Sequence, residues 1–359
     1  MLAAWPSLLA AAPSPPNDFA AGVNGPARAM GASFDDARAA GFNAVRIFLR
    51  WDRIETTEGA PDWSCKYVAD ADTETDGDLR PGIPCDGTPC GCGYSADERV
   101  AAAARRGVPI LLTIVSTPEW ARGQAAPWCP TDTPPPALPL RRGKESAYRD
   151  FVGKVAARYG DAAFAFELWN EPDLDPCRSW AGTHEQYKVQ ILSAATAVKQ
   201  SGAVPGLVVA PTLVDPNPAA MDAWMDWSQP IDRLSFNLYE VKLSYALETL
   251  DRMAFWCNSH RRCPGFYVTE FGAQRTGGES CPGPRSGGPG PTNVQIMKRC
   301  RKRPACRGFF LYSLMEDQRP QCDRGLLTTD GCRKRRLCTI AKRFFRVSSL
   351  PYDCVGCGP

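Results

Sequence analysis

FAFELWNEPD, residues 164–173, is an apolar run, Phe164–Trp169, that stops at Asn-Glu-Pro. Proline cannot donate to a strand ladder, so the strand ends there and Glu171 falls at its C-terminal end. The run shows little alternation, the pattern of a strand buried on both faces in a parallel sheet. GFYVTEFG, residues 265–272, repeats the arrangement: a short apolar run brings Glu270 to its end, before a glycine that permits a sharp turn.

Six more runs of the same kind flank these two, at Asp18–Val23, Ala44–Leu49, Pro109–Val115, Leu207–Pro211, Arg233–Leu238 and Gly308–Tyr312. Helical patterns separate them. The clearest is Lys144–Tyr159, where Ala147, Tyr148, Phe151, Val152, Val155, Ala156 and Tyr159 share one face at a period of 3.6. Ser95-x-x-Glu98 and Thr183-x-x-Gln186 carry the capping-box pattern that satisfies free backbone donors at a helix start. Eight strand–helix pairs in 359 residues predict an α/β fold, a closed (β/α)8 TIM barrel with disulfide-rich loop insertions. An open doubly wound sheet stays compatible, because strand order is not written in sequence. In the barrel, Glu171 and Glu270 end strands four and seven and point into one mouth.

Composition narrows the class. Hydrophobic residues make up 44% and charged residues 23%, as in ordinary globular domains. A core of this size needs no staples, so 16 cysteines point to disulfides made in an oxidising compartment, and hence to a secreted, extracellular or periplasmic protein. Their pairing is not readable from the chain. Cys65–Cys92 reads as a disulfide-tied insertion after strand two, Thr276–Pro291 as a Gly/Pro-rich loop after strand seven, and Cys322–Cys357 as a tail that pins the C-terminus. Residues 1–17 read as the remnant of a signal peptide or a disordered N-terminus, and 18–359 as one catalytic domain. No apolar stretch reaches the length of a membrane span. A net charge of +3 does not suggest nucleic acid. The basic runs Lys298–Arg307 and Arg333–Arg336 read first as solvated helix faces, with an anionic-polymer patch as the sharper alternative.

Glycoside cleavage needs an acid for the leaving oxygen and a carboxylate at the anomeric carbon, and Glu171 and Glu270 are the pair in the right setting. Around them the chain resembles the clan A glycoside hydrolases. WNEPD at 169–173 and TEFG at 269–272 are similar to the two catalytic signatures of that clan. NAVRIFLRW at 43–51, TPEWA at 117–121 and LSFNLY at 234–239 resemble its second-, third- and sixth-strand motifs, with a lean toward families 39 and 5. The resemblance runs from about Gly22 to about Asp317. It implies that Glu171 is the acid/base and Glu270 the nucleophile, with Arg46 and Tyr239 touching Glu270 and Asn170 donating to the sugar 2-hydroxyl.

Arg46 and Tyr239 beside Glu270 would favour its charged form, leaving the proton on Glu171. A double displacement with retention follows. Two positions depart from the pattern. Asn237 stands where the clan usually has histidine, and Leu311 where it usually has the tryptophan that floors the sugar site, with Tyr312 beside it. Trp120 and Trp180 are candidates for sugar stacking. The expected partner is an oligo- or polysaccharide with β-linked sugars, the expected state a monomer, and neither cofactor nor metal is called for. Only His184 and His260 exist as histidines, and Cys354-x-x-Cys357 reads as structural among so many cysteines. The alternative functions are a catalytically silent carbohydrate-binding protein and a cysteine-stabilised structural or adhesion protein.

Overall fold

The computed structural model describes residues 19–25, 32–67, 93–130, 137–174, 177, 179–203, 206–214, 216–239, 242–272, 289–312, 326 and 335–350. Eight parallel strands form a closed barrel: β1 (Ala20–Asn24), β2 (Ala44–Arg50), β3 (Ile110–Val115), β4 (Ala163–Leu168), β5 (Leu207–Leu213), β6 (Arg233–Leu238), β7 (Phe266–Phe271) and β8 (Cys306–Leu311). Each strand pairs with those before and after it in sequence, and β8 closes on β1 with Ala20 opposite Gly308 and Val23 opposite Leu311. That closure removes the open-sheet alternative. The observed strands match the expected runs to within two residues at each end.

A helix follows every strand: α1 (Ala32–Ala39), α2 (Ala96–Ala104), α3 (Ala147–Tyr159), α4 (Ala194–Gln200), α5 (Pro218–Trp224), α6 (Leu243–Ser259), α7 (Pro289–Arg301) and α8 (Arg335–Ile340). α3 buries Tyr148, Phe151, Val152, Val155, Ala156 and Tyr159, the stripe legible in its period. Truncating one large member, Phe151→Ala, removes packing worth about 3–5 kcal/mol. Both capping boxes form: the Ser95 hydroxyl accepts from Glu98 N–H, and that of Thr183 from Gln186 N–H. α7 begins at Pro289, so the end of the segment read as a loop to Pro291 is already helical. Proline is well suited to a first turn, whose N–H groups have no intrahelical partner.

The core has two parts. A large cluster fills the layer between barrel and helices, and a smaller one, Ala20, Ala44, Leu111, Phe164, Ala165, Val209, Tyr267 and Phe310, plugs the barrel near the N-terminal ends of most of its strands. Gly22 is required there, because a Cβ on it would stand 2.3 Å from the Phe310 ring. Disulfides join Cys129–Cys177, Cys257–Cys263 and Cys300–Cys306. The first ties the loops after β3 and β4; the other two each fasten a helix end to the start of the next strand. Cys65 and Cys338 are disulfide-bonded as well. Lys66–Tyr67 pairs antiparallel with Tyr94–Ser95, so the base of the Cys65–Cys92 insertion is a short ladder. The rest of that insertion, residues 1–17, most of 276–291, and most of the tail lie outside the described residues. Among the described residues no helix is long and apolar enough to cross a membrane.

Candidate active site

Above the apolar plug the barrel turns polar. Arg46 on β2 is fully buried, and its guanidinium is the hub. Nε donates to Glu167 Oε2 at 2.7 Å and to Thr113 Oγ1 at 2.9 Å; Nη1 donates to Glu270 Oε1 at 2.5 Å and Asn24 Oδ1 at 3.1 Å; Nη2 donates to Asn170 Oδ1 at 2.7 Å. Burial works against the charge of Arg46, but Glu167 and then Glu270 outweigh it and hold the guanidinium above its ordinary range. With both neighbours ionised, one cation stands between two carboxylates.

Glu270 lies on β7 and is 6% exposed. Its Oε2 accepts from Tyr239 OH at 2.8 Å, so each of its oxygens has a donor. Across the β6–β7 ladder its register partner is Asn237, which is buried and donates through Nδ2 to Glu171 Oε1. One residue therefore faces Glu270 and holds Glu171. The amide oxygen of Asn237 accepts from Thr269 Oγ1 at 3.4 Å. Asn170 is 8% exposed and spends its oxygen on Arg46, which turns its NH2 to other partners.

The chain beyond β4 reaches this geometry through unusual backbone. Trp169 has φ of 83° and Glu171 φ of 49°, left-handed conformations that side-chain-bearing residues seldom adopt. Such strain costs about 1–3 kcal/mol and persists only where surroundings hold it. Here the Trp169 indole donates to Ser179 O at 2.8 Å and packs edge-on against Tyr148 and Trp180. Past the kink the strand re-pairs, with Glu171 N–H donating to Thr212 O at 2.7 Å. The kink swings Asn170 and Glu171 onto the rim.

Arg46, Asn170, Glu171, Asn237, Tyr239 and Glu270 thus converge through direct contacts. Tyr312 joins at the edge, its ring 6.3 Å from that of Tyr239 in an edge-to-face arrangement. Leu311 does not floor the site: it is fully buried in the cluster between sheet and helices, because successive strand residues face opposite sides. Trp120 makes its contacts elsewhere, donating from its indole to Glu55 O at 2.7 Å and meeting Trp51 edge-on, half-buried. Trp180 is 2% exposed between Trp169 and Tyr187, a core anchor with no face left for a sugar.

Sequence reasoning missed the layer beneath. Glu167, fully buried, accepts from Arg46, from Thr113 Oγ1 at 2.6 Å, from Ser235 Oγ at 2.9 Å and from Thr212 Oγ1. Thr212 and Thr269 then meet at 2.6 Å, which joins this layer to Asn237 above. A signal was present: a charged residue inside FAFEL, a strand buried on both faces, requires a buried partner.

No protein-family model and no curated protein matches the sequence. Solved structures do. The chain is similar to a family 39 glycoside hydrolase from the gut symbiont Bacteroides cellulosilyticus WH2, at 16% identity over 91% of this chain and 64% of that one, with a TM-score of 0.60. It therefore spans less than two thirds of that protein's length. It is also similar to a family 5, subfamily 18 glycoside hydrolase from Bifidobacterium longum subsp. infantis, at 11% identity over 90% and 78% of the two chains, TM-score 0.58. A third is an endo-beta-1,3-glucanase of family 128 from Amycolatopsis mediterranei in complex with laminaritriose, at 13% identity over 90% and 99%, TM-score 0.50. The chain has the barrel fold of these clan A glycoside hydrolases.

Proposed function

We propose that this protein is a secreted retaining glycoside hydrolase acting on β-linked glycosides or polysaccharide, with one catalytic domain. The observation that carries this reading is Asn237, which holds Glu171 while standing opposite a Glu270 already bound by Arg46 and Tyr239. Two carboxylates on one rim in unlike environments suit the acid and the nucleophile that double displacement uses. Donors on both oxygens of Glu270 favour its anion. Glu270 attacks the anomeric carbon while Glu171 gives its proton to the leaving oxygen, producing a covalent glycosyl-enzyme. Glu171 then takes a proton from water, whose oxygen displaces Glu270 and restores both groups. The free NH2 of Asn170 is suited to the sugar 2-hydroxyl, a contact that strengthens in the transition state. Tyr312 and Tyr239 offer aromatic edges to the sugar.

β-Linked substrates are favoured by the likeness to an endo-beta-1,3-glucanase that holds laminaritriose. Disulfides on both rims favour an oxidising compartment. The test is hydrolysis of aryl β-glycosides, β-glucan, xylan and mannan by wild type, Glu171→Ala and Glu270→Ala. Loss in both variants, with azide restoring turnover in either, supports the reading. A wild type that binds these sugars without cleaving any of them replaces it with the silent binder.

A further inference from the structure

Away from the barrel mouth, the basic run at the end of α7 meets two arginines that lie beyond α8. Lys298, Arg301 and Lys302, at the end of α7, line one side of a groove of about 630 Å³; Arg343 and Arg346, beyond α8, line the other. Phe344 and Phe345 complete its lining. All five cations are exposed, and among the described residues none of them forms an ion pair. The contrast within the same helix end is informative: Arg299 and Arg303 both pair with Asp251 at 2.8 Å. Cations are favoured at helix C-termini by about 0.3–1 kcal/mol each, which accounts for single residues there. It does not account for two helix ends that turn their unneutralised cations into one shared concavity, where they repel one another.

We propose that this groove binds an anionic polysaccharide, one bearing carboxylate or sulfate groups along its chain. Three guanidinium groups offer planar forks that match either anion in two parallel hydrogen bonds. The aromatic residues decide against the rival polyanions. Phe344 is 6% exposed, with the Arg301 guanidinium 5.5 Å from its ring and Phe309 and Phe345 packed edge-on against it. Phe345 is itself packed against Phe42. Neither ring stands open as the stacking platform that single-stranded nucleic acid uses. A membrane surface calls for exposed apolar side chains around the cations, and among the described residues the exposed large apolar ones, Trp128, Val189, Tyr245 and Phe255, line none of the groove. The site needs no catalysis and stands or falls apart from the barrel mouth.

The experiment is binding of the full chain to polygalacturonate, which carries carboxylates only, and dextran sulfate, which carries sulfates only. Neutral dextran, single-stranded DNA and phosphatidylserine vesicles serve as comparisons. Binding to either anionic polysaccharide is expected, weakening steeply from about 0.05 to 0.3 M salt. The double variant Arg301→Glu/Arg343→Glu should weaken it about tenfold or more, whereas Glu270→Ala leaves it unchanged. Preference for polygalacturonate or for dextran sulfate identifies the anion. Equal binding by the charge-reversal variant, binding to neither polymer, or tighter binding to DNA or vesicles overturns the proposal.

Discussion

Arg46 and Glu167 form an ion pair with both side chains fully buried, Nη2 to Oε2 at 2.7 Å, and the same guanidinium reaches Glu270 at 2.5 Å. A buried pair contributes little net stability over an apolar substitute, so its consequence is placement. Glu167 fixes the guanidinium from below, and the guanidinium in turn fixes Glu270 and Asn170 at the mouth.

Glu167→Gln puts an NH2 group among donors that all point at that side chain: Arg46, Thr113, Thr212 and Ser235. We expect a loss of about 2–4 kcal/mol in unfolding free energy. Urea denaturation measures it, and an unshifted midpoint would contradict the role assigned to the pair.

Tyr239→Phe deletes the donor to Glu270 Oε2 and little else of the ring. A hydrogen bond to a charged group is worth about 1.5–3 kcal/mol, so kcat/KM for an aryl glycoside should fall about 10- to 150-fold. The melting temperature should hardly change. Unaltered kinetics would mean that Glu270 needs no help from the phenol.

Among the described residues, three disulfides with both cysteines placed differ in the chain they close. Cys129–Cys177 spans 48 residues, whereas Cys257–Cys263 and Cys300–Cys306 each span 6. Loop-closure entropy predicts a loss of about 4 kcal/mol for the double alanine variant of the long bridge and about 2 for either short one. Paired thermal unfolding scans test the order; a reversed order would make native-state contacts, not loop length, the governing factor.

His184 packs against Trp224 with ring centroids 4.3 Å apart. Burial, followed by Lys188, pulls its pKa below the usual 6.5, against Glu185. The unfolded chain then binds its proton more readily, so the contribution is complete above about pH 6.5 and is lost as pH falls through that value to the folded one. His184→Gln should flatten part of the stability decline on that interval, read from melting temperature against pH. Parallel curves for wild type and variant would exclude it.

The strand-end positions of the candidate site were legible because their signals are local. Glu171 stands before a proline and Glu270 before a turn glycine, each ending an apolar run, and such runs locate strand ends without reference to the rest of the chain. Leu311 went wrong by one residue of facing: strand parity decides which side a side chain takes, and a register shift between Phe309 and Leu311 lies outside any pattern read along one strand. Trp180 was ambiguous for a related reason, since an indole serves a core or a sugar equally well until its neighbours are known.

The sequence by itself determined the alternation of strands and helices, the two helix caps, and the carboxylates at the ends of the fourth and seventh strands. Those follow from apolar periodicity, from proline and glycine, and from backbone donors that must be satisfied within a few residues. Only the tertiary structure decided that the sheet closes, that Arg46 divides its charge between Glu167 and Glu270, that Asn237 holds Glu171, and that two basic helix ends share one groove. Each of these joins residues far apart in the chain, and a distance of that kind is set by packing of the whole barrel, which no local pattern encodes.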